Sequence, residues 1–149
     1  MKRKGIGKNF LVFGIFLFLI VSVSAANHYV RQGASGNGND WSNAYGSLPS
    51  TLVRGDTYYV ADGSYGGYGF NDADSGTTLI TIKKATASDH GTSTGWQSSF
   101  GDGQVIFTST ISFSSGYYVL DGQTGGGPGS WKSGFGFKVH DRRYLSRSV

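Results

Sequence analysis

Apolar residues along this chain fall into short runs that alternate with polar positions and are bounded by glycine-rich turns, which is typical of β-strands. Within the run 79–83, Ile80 and Ile82 share one face, and Val105 and Phe107 share a face of another run, so each strand is expected to bury one side. The seven runs after the first 26 residues are 28–31, 57–61, 79–83, 105–108, 111–113, 117–120 and 135–139.

One short helix is predicted near the start of this region. Pro49 suits a first helical position, Leu48, Leu52 and Val53 form an apolar stripe, and Gly55 is a typical residue to end a helix. The predicted helix has only about one and a half turns at 3.6 residues per turn. We expect it to cover the N-terminal end of the strands.

The intervals between the runs favour parallel strand pairing. Antiparallel neighbours are commonly joined by tight two-residue turns, whereas several gaps here are roughly 20 residues long and lack such turns. Parallel strands need longer return connections. The sequence therefore predicts an all-β fold built of parallel coils, a β-solenoid, and a β-sandwich remains the alternative.

The first 26 residues have the three-part pattern of a cleavable secretory signal peptide. Four basic residues stand among the first eight, a nearly continuous apolar stretch follows over 10–23, and small residues end the segment. The apolar core is shorter than the roughly 20 residues of a membrane-spanning helix. Cleavage after Ala25 and cleavage after Ala26 both fit the small-residue rule. We predict a secreted protein, extracellular or on the cell surface, that contacts the membrane only through this leader before cleavage.

Removal of the leader changes the charge of the protein. The whole chain has 13 Lys and Arg residues against nine acidic residues, a formal net charge of +4. Because four of the basic residues lie in the leader, the remainder is neutral overall. A neutral domain gives no support to nucleic-acid binding, which needs a basic surface. The chain contains no cysteine, so it has no disulfide bonds to stabilise it outside the cell.

Several segments resemble one known family. They are HYVR at 28–31 with the glycines and Trp41 that follow, RGDTYYVADGSY at 54–65, LITIKKA at 79–85, DGQVIF at 102–107 and YYVLDG at 117–122. This series is similar to the opening coils of right-handed parallel β-helix proteins of the pectate-lyase-like group. The resemblance implies a β-helix over 27–139, followed by an irregular tail over 140–149. We expect the coils to be the N-terminal part of a longer, truncated family member, and the protein to be a monomer.

The resemblance implies polysaccharide as the partner. Such lyases cleave acidic polysaccharides by β-elimination, with a basic residue as proton acceptor and Ca²⁺ or Lys and Arg beside the uronate. No residue here maps onto a catalytic motif, and Lys83 and Lys84 are interpreted as a solvated strand end. We therefore expect an incomplete chain without activity of its own. The alternative is a non-catalytic extracellular carbohydrate-binding or adhesion protein.

Two sets of candidate binding residues lie in the turn-rich segments. Exposed aromatic rings can stack on sugar faces, although large rings in a leucine-poor chain also serve as structural anchors, which is the favoured interpretation. The candidates are Trp41, Tyr65, Tyr68 and Trp96 for carbohydrate, and Asp72 and Asp74, with Asn71, for a weakly bound Ca²⁺. Calcium prefers several oxygen ligands. We expect no cofactor other than this calcium ion.

Overall fold

The computed structural model describes residues 24–123 and 134–139. The predicted tail over 140–149 and residues 1–23 of the predicted leader, 1–26, lie outside these residues. The described chain forms nine β-strands and one 3₁₀ turn, Ser98–Phe100. The strands are β1 (Asn27–Val30), β2 (Thr57–Val60), β3 (Gly63–Tyr65), β4 (Tyr68–Phe70), β5 (Ile80–Lys84), β6 (Val105–Phe107), β7 (Ile111–Phe113), β8 (Tyr118–Asp121) and β9 (Phe137–Val139).

The strands form three sheets. Sheet A has the order β1-β2-β5-β8, sheet B the order β3-β6-β9, and sheet C pairs β4 with β7. Each of these strand pairs is parallel. From β2 onward, successive strands belong to sheets A, B and C in turn, and the sequence of sheets then repeats. The predicted all-β class is confirmed. The hairpin pairing that the β-sandwich alternative requires is absent between β5 and β6, which lie in different sheets.

The main core gathers side chains from all three sheets. Ile80 and Ile82 of β5 have no exposed surface, and they share a cluster with Val105 and Phe107 of β6 and with Phe70 of β4. The predicted alternation in β5 and β6 is therefore confirmed. Because burial of an aliphatic or aromatic side chain contributes about 1.5–3 kcal/mol, this cluster is a major source of stability in a chain without disulfides.

In sheet A, strands β1 and β2 are buried on their other face as well. Consecutive residues of β1 and β2 alternate between two clusters, with Val30 and Val60 in the main core and Tyr29 and Tyr59 in a second one. The second cluster also contains Trp41 from the loop after β1, together with partly buried residues of the loop after β5. Two loops thus cover the outer face of β1 and β2, and these two strands lie between two apolar layers.

The helix predicted between Pro49 and Gly55 is wrong. The backbone amide of Leu52 donates a 2.8 Å hydrogen bond to Asp72 Oδ1, and that of Val53 donates a 3.0 Å bond to the Tyr58 hydroxyl. These partners take the amides that a helix would pair with its own carbonyls. Leu48 and Leu52 are nevertheless buried in the main core, as the apolar stripe indicated.

All seven runs predicted as strands contain a strand, whereas β3 and β4 were not predicted.

No helix within the described residues is long and apolar enough to cross a membrane.

Replacement of Ile82 with alanine tests the main core. Ile82 has no exposed surface, so Ile82→Ala leaves a cavity and is expected to lower the free energy of unfolding by about 2–5 kcal/mol. Leu79→Ala is the matched control, because Leu79 is 47% exposed and its truncation should change the stability by less than about 0.5 kcal/mol. Urea unfolding followed by tyrosine and tryptophan fluorescence measures both, and equal losses would contradict this core.

Candidate functional site

A charged row crosses the outer face of sheet A. The parallel register places Tyr59 of β2 beside Lys83 of β5, and Lys83 beside Asp121 of β8. Asp89, in the loop after β5, completes the group. Lys83 Nζ lies 2.6 Å from Asp89 Oδ2, 3.9 Å from Asp121 Oδ2 and 5.8 Å from the centroid of the Tyr59 ring. We call these four residues the Lys83 cluster.

The electrostatics of the Lys83 cluster keep its ion pair charged. The hydrogen bond to Asp89 raises the pKa of Lys83 above its ordinary value of 10.5. The same bond lowers the pKa of Asp89 below 3.8. Burial, and then the charge of Asp89, raise the pKa of Tyr59 above 10.0. At neutral pH the cluster therefore holds one ammonium and two carboxylates, one net negative charge, and Lys83 is unsuited to act as a neutral base.

A pair of stacked rings lies next to the Lys83 cluster along the chain. His90 directly follows Asp89, and its ring stacks on Trp96 at a centroid distance of 4.2 Å with 8° between the planes. Both rings are partly exposed. Trp41 stabilises the position of this loop, because its Nε1 donates a 2.9 Å hydrogen bond to the carbonyl of His90. The loop thus presents a partly exposed aromatic pair that begins at the residue after Asp89.

The four aromatic residues predicted to bind carbohydrate lie in two separate places. Trp41 and Trp96 are neighbours in the second cluster, with ring centroids 5.0 Å apart. Tyr65 and Tyr68 line a cavity of about 190 Å³ at the turn between β3 and β4. Trp41 has no exposed surface and Tyr65 only 6%, so neither ring presents a face to solvent. Tyr68 and Trp96 remain partly exposed.

The two tyrosines are also held by internal hydrogen bonds. The Tyr68 hydroxyl donates to the carbonyl of Pro49 at 2.6 Å, and the Tyr65 hydroxyl donates to the carbonyl of Ala61 at 2.9 Å. Burial raises the pKa of Tyr65 to about 12. These contacts are those of anchors that fix loops against the sheets, which agrees with the interpretation favoured from the sequence.

The carboxylates of Asp72 and Asp74 face internal donors. Asp72 Oδ1 accepts from the Leu52 amide at 2.8 Å, and Asp72 Oδ2 accepts from the Tyr118 hydroxyl at 2.9 Å. Asp74 Oδ1 lies 3.1 Å from Arg54 Nη2. Within residues 24–123 and 134–139, no group of three or more His, Cys, Asp or Glu side chains could hold a metal ion. Calcium binding by these aspartates remains a prediction from the sequence.

Lys84 corrects the interpretation of both lysines as a solvated strand end, because it is only 1% exposed. Its Nζ contacts Asp62 Oδ1 and donates to the carbonyl of Ala85. The side chain also lines a cavity of about 390 Å³ next to Gly101 and Asp102. Alternation in β5 signals this burial in the sequence, because Lys84 follows Ile80 and Ile82 at intervals of two residues on the same face.

Asp89 and Asp121 were not singled out in the sequence. Asp89 lies in the loop after β5, whereas Asp121 ends β8 and is brought to Lys83 by the pairing of β5 with β8. Neither residue belongs to a recognisable motif. A correct alignment of the two strands is the signal that could have identified Asp121.

No protein-family model, curated protein or solved structure matches this chain. The chemistry of the site therefore rests on its own residues.

The Lys83–Asp89 pair predicts how stability depends on pH. Asp89 has a lowered pKa in the folded state, so its contribution is complete above 3.8 and is lost as the pH falls through the lower folded value. We expect Asp89→Asn to be less stable than the parent between pH 5 and pH 8, about the range of highest stability in most proteins. The difference should disappear in acid. Urea unfolding at several pH values measures it, and Asp102→Asn, an exposed position, is the control. A difference that persists at the lowest pH contradicts the pairing.

The buried Lys84–Asp62 pair predicts strong coupling between two substitutions. Asp62→Asn leaves the Lys84 ammonium buried without its counter-charge, and we expect a loss of about 3–5 kcal/mol. The double variant Asp62→Asn, Lys84→Met removes both charges and should lose less than the sum of the single losses. A double-mutant cycle from urea unfolding measures the coupling. Additive losses would show that the two charges do not interact.

Proposed function

We propose that this protein is a secreted right-handed parallel β-helix that binds a neutral polysaccharide at the Lys83 cluster without cleaving it. The repeated passage from sheet A to B to C supports the architecture, since each complete circuit adds one strand to a sheet. The right hand follows from the strong preference of connections between parallel strands. The predicted leader supports a location where polysaccharides are the abundant partners.

The composition of the Lys83 cluster carries the functional proposal. Sugar hydroxyls donate well to carboxylates, and hydrogen bonds to charged groups are about twice as strong as those between neutral groups. Asp89 and Asp121 are 36% and 42% exposed at their side chains, so both can accept further hydrogen bonds. The ring pair of His90 and Trp96, which begins at the residue after Asp89, supplies an apolar surface in the same loop. Carboxylates next to aromatic rings suit the mixed polar and apolar surface of a sugar.

The same cluster argues against the uronate lyase activity that the family resemblance implies. Elimination beside a uronate needs a neutral base and positive charge to offset the substrate carboxylate. Lys83 has a raised pKa and stays protonated, and the cluster has a net negative charge that repels a uronate. Lys84 is buried and faces Asp62. Binding of an uncharged chain is therefore favoured over catalysis.

Removal of one exposed carboxylate tests the binding surface. Asp121→Ala is expected to weaken binding of soluble neutral polysaccharides, such as xyloglucan or galactomannan, by about tenfold, because a hydrogen bond to a charged group contributes about 1.5 kcal/mol or more. Asp102→Ala changes the charge equally at an exposed position that is not part of the Lys83 cluster, and it should bind like the parent. Isothermal titration calorimetry measures both affinities.

Acidic polymers provide the opposing test. Polygalacturonate and alginate should bind at least tenfold more weakly than the neutral polymers, and incubation with them should produce no absorbance of unsaturated uronate. Turnover of either polymer would overturn the non-catalytic assignment. Equal binding by the parent and Asp121→Ala would remove the Lys83 cluster as the site.

A further inference from the structure

A buried carboxylate accepts a hydrogen bond from the backbone at the start of sheet A. Asp56, immediately before β2, is 4% exposed. Its Oδ1 accepts a 2.9 Å hydrogen bond from the backbone nitrogen of Ala26, the residue before β1. Its Oδ2 lies 2.9 Å from Nε2 of His28. The carbonyl of Ala26 in turn accepts a 2.9 Å bond from the amide of Thr57. Ala26 is therefore fixed at both its nitrogen and its oxygen.

The charge of Asp56 is incompletely balanced by these contacts. A buried carboxylate is costly unless it is paired with positive charge and hydrogen-bonded. In the part of the chain that the structure describes, His28 is the ion-pair partner of Asp56. In the uncut chain, the backbone amide of Ala26 donates one hydrogen bond to Asp56 but carries no charge. The Nδ1 atom of the same histidine is buried and has no hydrogen-bond partner among these residues. An ammonium at the position of the Ala26 nitrogen would supply both a full charge and additional donors.

We propose that Asp56 is the receptor for the mature N-terminus, which is formed by hydrolysis of the bond between Ala25 and Ala26. An endopeptidase that cuts after small residues adds water across this bond. The carbonyl of Ala25 takes the hydroxyl and becomes a carboxylate, and the nitrogen of Ala26 becomes an ammonium after it takes up protons. The ammonium then binds Oδ1 of Asp56. Ser24, Ala25 and Ala26 are all exposed, which is compatible with a processed segment.

The geometry selects one of the two cleavage positions that the sequence leaves open. A cut after Ala26 would remove both the nitrogen that faces Asp56 and the carbonyl that accepts from Thr57. A cut after Ala25 keeps both bonds and places the new charge against the buried carboxylate. The mature chain therefore gains an ion pair that the precursor lacks, and removal of the leader stabilises the first strand of sheet A.

Sequencing of the exported protein gives the first test. The full chain with its leader is expressed in a bacterial host, and the product recovered outside the cytoplasm is analysed by intact mass and N-terminal sequencing. Ala26 is the expected first residue. A first residue at Asn27 or elsewhere overturns the proposal.

A four-chain comparison tests the ion pair itself. Residues 26–149 are prepared with Ala26 as the free N-terminus or with one preceding glycine, each with and without Asp56→Asn. The added glycine should lower the melting temperature by about 5 °C in the parent, a shift of the size that one lost charged interaction gives in a domain of this length. It should have no effect in the Asp56→Asn background. Equal shifts in both backgrounds overturn the proposal.

A second measurement remains decisive if Asp56→Asn does not fold. An ammonium held against a carboxylate is protected from acylating reagents, because only the deprotonated amine reacts. The chain that begins at Ala26 should be labelled at its α-amino group at least tenfold more slowly than the chain extended by glycine. Unfolding in urea should abolish the difference. Equal labelling of the folded chains contradicts a bound N-terminus.

Discussion

The parallel register of sheet A determines which side chains are buried and which form the candidate site. It aligns Val30, Val60 and Lys84 in an inner row, and Tyr59, Lys83 and Asp121 in an outer row. Because side chains alternate with a period of two, a shift by one residue in β5 would exchange Lys83 with its buried neighbours. The aromatic second cluster on the outer face and the aliphatic core on the inner face both oppose such a shift. Packing on two faces therefore fixes the register and, through it, the charged row.

The strands that were predicted from the sequence are those that contain a run of apolar residues, and the alternation is clearest in β5 and β6. In β5 and β6 the buried residues occur at every second position, and this local pattern is sufficient. In β3 and β4, Gly63 and Gly69 interrupt the pattern, and each strand has three residues, so nothing local distinguishes them from turns. The wrong helix has the opposite cause. Pro49 and Gly55 are typical residues at the two ends of a helix, but the amide of Leu52 donates its hydrogen bond to the distant Asp72 carboxylate instead.

The candidate site was less accessible to sequence reasoning than the fold. The burial of Lys84 could have been predicted from alternation alone, since a lysine in phase with two isoleucines belongs to the buried face, although it was interpreted as part of a solvated strand end. The Lys83 cluster did not follow, because Asp89 comes from a loop without regular structure and Asp121 from a later strand. Trp41 and Tyr65 illustrate the same limit. An aromatic residue in a glycine-rich segment can either cover a core or face solvent, and only the completed packing distinguishes these two outcomes.

The long connections between paired strands also bear on how fast this chain folds. Thr57 pairs with Thr81, and Ile80 pairs with Tyr118, so neighbouring strands of sheet A are separated by whole loops. Closing such loops costs conformational entropy before any strand contact repays it, and proteins dominated by distant contacts fold in milliseconds to seconds. Arg54 also connects residues that are far apart in the sequence. Its guanidinium donates hydrogen bonds to the carbonyls of Asp72, after β4, and of Gly116, after β7. Folding of this protein is therefore expected to be slow, because each strand of sheet A pairs only after a long loop has closed.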